Sequence, residues 1–223
     1  MAEVIPTVFV KEGDDFRLRF EKVLGFSNFV QIDFMDGKFV KNKSISLDEI
    51  PFLRQFPAKF EAHLMVEDPE SWIEDLSKKG FYRVIFHYEA VKDNEDIKVI
   101  AGTIRRYGMN PIIAINPETS VEKILPVLDV VKHVLFMGVK PGEEHQELDG
   151  KVLDKVRELK KLKPNAVAQI DGGLNLENAS KISDAGCDFV NSGSLIAESD
   201  SPRATYMKVQ SLVDDLSEDD GWE

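Results

Sequence analysis

Short apolar segments alternate with amphipathic segments along almost the whole chain, and this alternation constrains the fold more than any other feature. The apolar segments are bounded by Gly, Pro, Asp or Asn, which is typical of β-strands. The segments between them carry apolar residues at helical spacing. Such alternation predicts parallel strands joined by right-handed crossovers. The predicted strands are residues 4–10, 29–34, 59–66, 82–87, 110–115, 130–139, 166–170 and 188–191.

Two architectures satisfy this alternation, a closed barrel and an open doubly wound sheet. About eight strand–helix units in 223 residues favour the α/β class with a single (β/α)8 TIM barrel. We predict one barrel domain over residues 1–216, followed by an acidic C-terminal tail at 217–223. Helices of the outer layer are predicted at 47–56, which Pro51 interrupts, and at 119–128.

Composition narrows the classes of partner. The formal net charge of −12 argues against non-specific binding to nucleic acid or to an acidic membrane, but a local pocket can still bind a small anion. Cys187 is the only cysteine, so it forms no internal disulfide, is expected in the core, and fits a reducing compartment. No apolar run approaches the ~20 residues of a membrane span, and no signal-peptide pattern is visible. We therefore expect a soluble, cytoplasmic protein.

Three predicted strands end in side chains that can carry chemistry. These are Asp33, His63 and Asp171, and glycines follow both acids closely. Strands disfavour Asp, and burying its charge without a partner is costly. The carboxyl ends of all strands in a barrel face the same side. We therefore expect the three side chains to converge on one site, whereas His87 is expected to be structural.

The motifs around these residues, taken together, resemble the ribulose-phosphate 3-epimerase family. They occur in the family's order, and the likeness runs from about Pro6 to Ala197. The resemblance implies the (β/α)8 barrel and epimerisation of a ketose phosphate, of the ribulose 5-phosphate/xylulose 5-phosphate type, at C3 in the pentose phosphate pathway. The matching motifs are Asp33-Phe34-Met35-Asp36-Gly37, His63-Leu64-Met65-Val66, Asn116-Pro117, Val139-Lys140-Pro141-Gly142, Asp171-Gly172-Gly173 and Gly193-Ser194.

The resemblance also implies roles for single residues. Asp33 and Asp171 match the acid/base pair that moves a proton between the two faces of the substrate. Together with His63 they match the ligands of a divalent metal (zinc, iron, manganese or magnesium) that stabilises the enediolate. The implied contacts to the sugar phosphate are made by Thr7, Met35, His63, Gly142, Gly172, Gly173, Gly193 and Ser194.

The chain departs from the family pattern at two places. The family has a metal-binding His where this chain has Gln31, and an amide oxygen binds zinc or iron less strongly than an imidazole. The loop after strand six carries Glu143 and Glu144 where the family has a glycine-rich run over the phosphate. Each acid would cost on the order of 1 kcal/mol near a phosphate, so we expect the loop to point into solvent.

Three hypotheses about function stay open from the sequence. The first is the epimerase of a sugar phosphate. The second is a related barrel enzyme that acts on a different or unphosphorylated carbohydrate. The third is a degenerate barrel that binds a ligand without turnover. No nucleic acid or membrane partner is expected under any of them, and a homo-oligomer is left open.

Overall fold

Eight parallel strands form the centre of the molecule in a computed structural model that describes residues 2–12 and 14–214. Each strand pairs with its neighbour in the chain, and the last strand pairs with the first, so the ring is closed. The predicted (β/α)8 TIM barrel is confirmed, and the open sheet is excluded. The strands are β1 (Glu3–Val8), β2 (Phe29–Met35), β3 (Lys59–Met65), β4 (Arg83–His87), β5 (Asn110–Ile115), β6 (His133–Met137), β7 (Val167–Asp171) and β8 (Phe189–Ser192).

Helices cover the outside of the ring. Two of them begin at predictable caps, since Asp15 accepts a hydrogen bond from a first-turn amide and Asp93 accepts two. Gly80 ends another helix in the left-handed conformation, at a φ of 97°. The helices are α1 (Phe16–Val23), α2 (Ile73–Lys79), α3 (Asn94–Arg106), α4 (Lys151–Leu162), α5 (Ala179–Asp184), α6 (Ser194–Ala197) and α7 (Pro202–Asp214).

Two predicted helices of the outer layer were wrong. Residues 47–56 form two 3-10 turns, Leu47–Glu49 and Leu53–Gln55, on either side of Pro51. Residues 119–128 also form 3-10 turns, and Pro126 lies in the second. Proline has no N–H to donate and clashes with the preceding turn, so neither segment continues as an α-helix. The predicted acidic tail at 217–223 lies outside the described residues.

Side chains of the strands alternate between the ring's two faces. Outward residues such as Phe34 and Leu64 pack under the helices in one large core that also contains Cys187. The ring's interior has two halves of different character. One half is apolar and is filled by Ile85, Ile112, Ala114, Leu135 and Met137. The other half is polar, with Gln31, Glu61, Gln169 and Asn191 all buried. The polar half lies directly beneath the predicted site.

The helices carry no membrane-span signal. Within residues 2–12 and 14–214, none is long and apolar enough to cross a bilayer.

Candidate active site

A pocket opens at the end of the barrel where the strands finish, as predicted for the site. Asn191, Met65 and Phe9 line it in addition to predicted residues. Gln31 is fully buried beneath the pocket, and Met35 packs against Phe9 and Met65 beside it. The predicted residues that line the pocket are Thr7, Asp33, His63, Gly142, Asp171, Gly172, Gly173, Gly193 and Ser194.

Asp33, His63 and Asp171 form a compact cluster in the pocket. Nδ1 of His63 lies 3.1 Å from Oδ1 of Asp33 and 3.3 Å from Oδ2 of Asp171. Asp33 and His63 are register partners on adjacent strands, whereas Asp171 reaches the cluster from β7. One ligand atom from each residue lies within 4.8 Å of the others. One imidazole nitrogen and two carboxylate oxygens are a suitable donor set for a divalent cation, so these three residues can hold a metal.

The buried cluster shifts the pKa values of its members. Burial raises the pKa of Asp33 to about 6; the hydrogen bond and charge of His63 oppose the rise, and the charge of Asp171 adds to it. Burial by itself lowers the pKa of His63. Hydrogen bonds and charges from Asp171 and Asp33 outweigh that effect and raise the pKa to about 9. Without a metal, the imidazolium of His63 therefore supplies the positive charge between the two acids.

His87 packs directly against His63. The two Nε2 atoms lie 3.0 Å apart, and the rings stack at a centroid distance of 5.1 Å. Burial lowers the pKa of His87, and the charge of His63 acts in the same direction. A neutral His87 therefore accepts a hydrogen bond from the charged His63. His87 is not part of the cluster that can hold a metal.

Gln31 presents the donor end of its amide to the cluster. Nε2 donates to Asp33 at 2.9 Å and to Asp171 at 2.7 Å. Oε1 instead accepts a hydrogen bond from Asn191 at 2.8 Å. The oxygen that would serve as a ligand thus points away from the other three donors. The amide oxygen of Gln31, which would replace the family's metal-binding His as a weaker ligand, is therefore not directed at the other three donors.

Glycines form the opposite wall of the pocket. Gly173 has a φ of 77°, and a Cβ added to it would lie 2.5 Å from backbone atoms of Leu148. A side chain is therefore excluded there by both conformation and packing. At Gly193 an added Cβ would lie 3.4 Å from Oε1 of Glu144, so this glycine leaves room for a carboxylate.

The acidic loop does not point wholly into solvent, in contrast to the expectation from sequence. Both acids line the pocket; Glu143 is exposed, but the side chain of Glu144 is only 15% exposed. Both carboxylate oxygens of Glu144 accept hydrogen bonds from Nη1 of Arg19, at 2.8 and 2.9 Å. The other terminal nitrogen of Arg19 lies 2.7 Å from Glu198. An ion pair from α1 therefore holds Glu144 at the pocket wall.

Sequence reasoning missed the polar residues one layer below the site and the partner of Glu144. Glu61 and Gln169 each stand two residues before a predicted site residue, and strand alternation puts residues at that spacing on the same face. That spacing was a usable signal. No local signal pointed to Arg19, because it pairs with a residue 125 positions away.

Solved structures share the fold at low identity. A 3-hexulose-6-phosphate synthase from Salmonella typhimurium superposes with a TM-score of 0.72 at 13% identity, covering 95% of this chain and 98% of its own. A KGPDC from Streptococcus mutans gives a TM-score of 0.74 at 12% identity, covering 96% and 97%. At these identities the likeness concerns the barrel alone.

Sequence relatives are closer. The Ribulose-phosphate 3-epimerase of Schizosaccharomyces pombe is 30% identical over 99% of this chain and 98% of its own length. The protein named Ribulose-phosphate 3-epimerase, cytoplasmic isoform, of Oryza sativa subsp. japonica is 33% identical over 76% of this chain and 75% of its own length. The profile of the Ribulose-phosphate 3 epimerase family matches residues 7–197, which include Asp33, His63 and Asp171. The chain therefore belongs to the ribulose-phosphate 3-epimerase family of enzymes.

Proposed function

We propose that the chain epimerises a ketose phosphate, of the ribulose 5-phosphate/xylulose 5-phosphate type, at C3. The observation that carries the proposal is the convergence of Asp33 and Asp171. They come from different parts of the ring, yet both accept a hydrogen bond from the same Gln31 amide at one pocket. Two carboxylates that face one cavity can act on a substrate held between them, which epimerisation requires.

The two acids would act on opposite faces of the substrate, and each would exchange its own proton with the reacting carbon. One carboxylate removes the proton next to the carbonyl, and the other acid returns a proton to the opposite face. One member must be ionised and the other protonated at the start. In the metal-free cluster, burial raises the pKa of Asp33 to about 6, so that this carboxyl can hold or release a proton near neutral pH. When bound by Asp33, His63 and Asp171, a divalent cation (zinc, iron, manganese or magnesium) supplies positive charge for the developing enediolate oxygens.

The glycine wall fits the phosphate of such a substrate. Gly172, Gly173, Gly193 and Ser194 line the pocket, and backbone N–H donors in a concave loop bind anions well. Thr7 and Gly142 line the same pocket and would contact the sugar phosphate. The apolar side chains of Met65 and Phe9 would cover the reacting carbons, with Met35 packed beside them.

Isotope exchange tests the acid pair. Incubation with ribulose 5-phosphate in deuterated water should place deuterium at C3. Asp33→Asn and Asp171→Asn should each reduce turnover by roughly 100-fold or more, because each removes an acid/base group. Asp129→Asn is the matched control, since Asp129 is 88% exposed and distant from the pocket lining. An active enzyme that tolerates both pocket substitutions would contradict the assignment.

A second candidate function rests on Glu144. Its carboxylate lies beside Gly193, on the wall where a phosphate would approach. A site built this way favours a substrate with a neutral end, so an unphosphorylated ketose is the alternative. Competition between a ketose and its phosphate separates the two. Tighter binding of the phosphate supports the first function, and equal or tighter binding of the free sugar supports the second.

A further inference from the structure

We propose that a row of buried amides fixes Gln31 as a hydrogen-bond donor that bridges Asp33 and Asp171 and keeps its oxygen away from a bound metal. Gln31 is then a positioning residue for the two acids and not a ligand. The residues of this row, here called the amide row, are Gln169, Asn191 and Gln31, and none is more than 1% exposed.

The amide row starts from a buried ion pair at the amino end of the barrel. Nη1 of Arg83 donates to Oε1 of Glu61 at 2.5 Å, and Glu61 is fully buried. The Arg83 guanidinium also lies 4.0 Å from the ring centroid of Phe29, which helps hold it in place. Oε2 of Glu61 accepts a hydrogen bond from Nε2 of Gln169 at 3.0 Å. Both oxygens of Glu61 therefore act as acceptors.

The orientation of each amide group in the row determines the orientation of the next. Nε2 of Gln169 also donates to Oδ1 of Asn191 at 2.7 Å. Nδ2 of Asn191 then donates to Oε1 of Gln31 at 2.8 Å, and to the hydroxyl of Thr7 at 3.2 Å. This leaves Nε2 of Gln31 for the two carboxylates above it.

The direction of the row cannot be reversed at one residue. Turning Gln31 over would place its oxygen against two carboxylates and its NH2 against the NH2 of Asn191. Turning Asn191 as well would set its NH2 against that of Gln169. Turning Gln169 in addition would bring its oxygen to Glu61, whose oxygens already accept. Among the described residues, the observed direction leaves one buried atom of the row without a partner, Oε1 of Gln169. The reversed direction would set an amide oxygen against a buried carboxylate oxygen of Glu61, and leaving a charged group without its donor costs more than leaving a neutral one. The pair Arg83–Glu61 therefore determines the direction at the far end of the row.

The consequence concerns metal binding. An amide NH2 has no lone pair to offer a cation, so Gln31 can become a ligand only by breaking its hydrogen bond from Asn191 and turning over. The metal affinity of the site is therefore controlled by a side chain that does not touch the metal. This inference holds whether or not the chain turns over a ketose, because it concerns binding to the free protein.

Calorimetric titration of the chelator-treated full chain with Mn²⁺ tests the inference, since Mn²⁺ accepts amide oxygen readily. Asn191→Leu removes the donor that holds Oε1 of Gln31 and adds no charge. We expect Mn²⁺ affinity to rise roughly fivefold, the equivalent of one ordinary hydrogen bond. In a Gln31→Leu background the same substitution should have no effect, and this double-mutant cycle isolates the coupling between the two residues.

Two results would overturn the inference. One is an unchanged or weaker Mn²⁺ affinity in an Asn191→Leu variant that circular dichroism shows to be folded. The other is an equal gain with and without Gln31, which would mean that Asn191 acts by another route. Should Asn191→Leu fail to fold, Asn191→Ala removes the same donor with less bulk and is judged by the same two criteria. Because no substrate is used, these outcomes are independent of the proposed epimerase activity.

Discussion

At the residue scale, single side chains at the site are defined by what they donate or accept. Gln31 stands where the resemblance to the family implies a metal-binding His, and its amide NH2 donates hydrogen bonds to Asp33 and Asp171. Its NH2 joins the two acids without bringing a full charge. His63, with its raised pKa of about 9, is the charged partner of the pair.

Replacing Gln31 by an imidazole should strengthen a transition-metal site. We expect Gln31→His to bind zinc more tightly than the wild type, because imidazole nitrogen suits zinc better than an amide does. Calorimetry on chelator-treated protein measures the gain, and Gln55→His on a distant 3-10 turn is the control for adding an imidazole. No gain at position 31 would mean that this side chain does not face the metal.

His133, at the amino end of the barrel, should make stability depend on pH. Burial lowers its pKa to about 3 from 6.5, and the charge of Arg83 adds to that effect. The folded state thus resists protonation of this ring. Its contribution to stability is complete above pH 6.5 and is lost as the pH falls toward 3.

A substitution that cannot be protonated isolates this effect. Relative to the wild type, His133→Phe should gain free energy of unfolding as the pH falls from 6.5 toward 4, because Phe takes up no proton when the chain unfolds. Phe can also keep the stacking on Phe189, so the substitution preserves the packing. Urea unfolding at several pH values gives the difference. A difference that stays constant with pH would show that His133 does not titrate in this range.

At the scale of elements, the loop between β6 and α4 shapes the glycine wall of the pocket through one contact to α1. Arg19 holds Glu144 against the glycine wall, while neighbouring Glu143 is exposed. The two acids therefore differ in effect although they are adjacent in the sequence.

This difference gives a matched pair of variants. Glu144→Gln should tighten ketose phosphate binding about fivefold, because it removes a charge beside the phosphate and frees Arg19 from that pairing. Glu143→Gln removes the same charge from a solvated position and should change affinity much less. The gain at 144 should shrink as salt rises. Equal effects of both substitutions would indicate that only the overall charge of the loop matters.

At the scale of the whole molecule, the two halves of the barrel interior differ in what they contribute. The polar half supports the site, while the apolar half contributes burial without polar costs. Leu135 is fully buried in the apolar half, on β6 between β5 and β7. Stability of the closed barrel should therefore depend on this half.

Truncation of Leu135 measures that dependence. Leu135→Ala should lower the free energy of unfolding by about 2–5 kcal/mol, because a cavity remains in a rigid ring. Leu162→Ala on the surface of α4, where the side chain is 46% exposed, should change it by about 0.5 kcal/mol or less. Urea denaturation followed by circular dichroism compares them. Similar small losses would mean that the interior relaxes to fill the space.

The sequence by itself determined the barrel and the positions of Asp33, His63 and Asp171. Strand alternation and helix stops such as Gly80 depend on interactions over a few residues, so they can be read locally. The parallel order of the strands then placed all three side chains at one end. The segments 47–56 and 119–128, which were wrongly predicted as helices, contain prolines whose effect outweighed the apolar spacing.

Only the tertiary structure decided what these residues meet. The direction of the Gln31 amide depends on Asn191, which is 160 positions away, and Glu144 is held by Arg19 at a separation of 125. Both contacts form only when the ring closes and brings the last strands and the β6–α4 loop against the first strands and α1. A hydrogen bond or an ion pair depends on orientation within a few ångströms, and local sequence does not encode such geometry between distant segments.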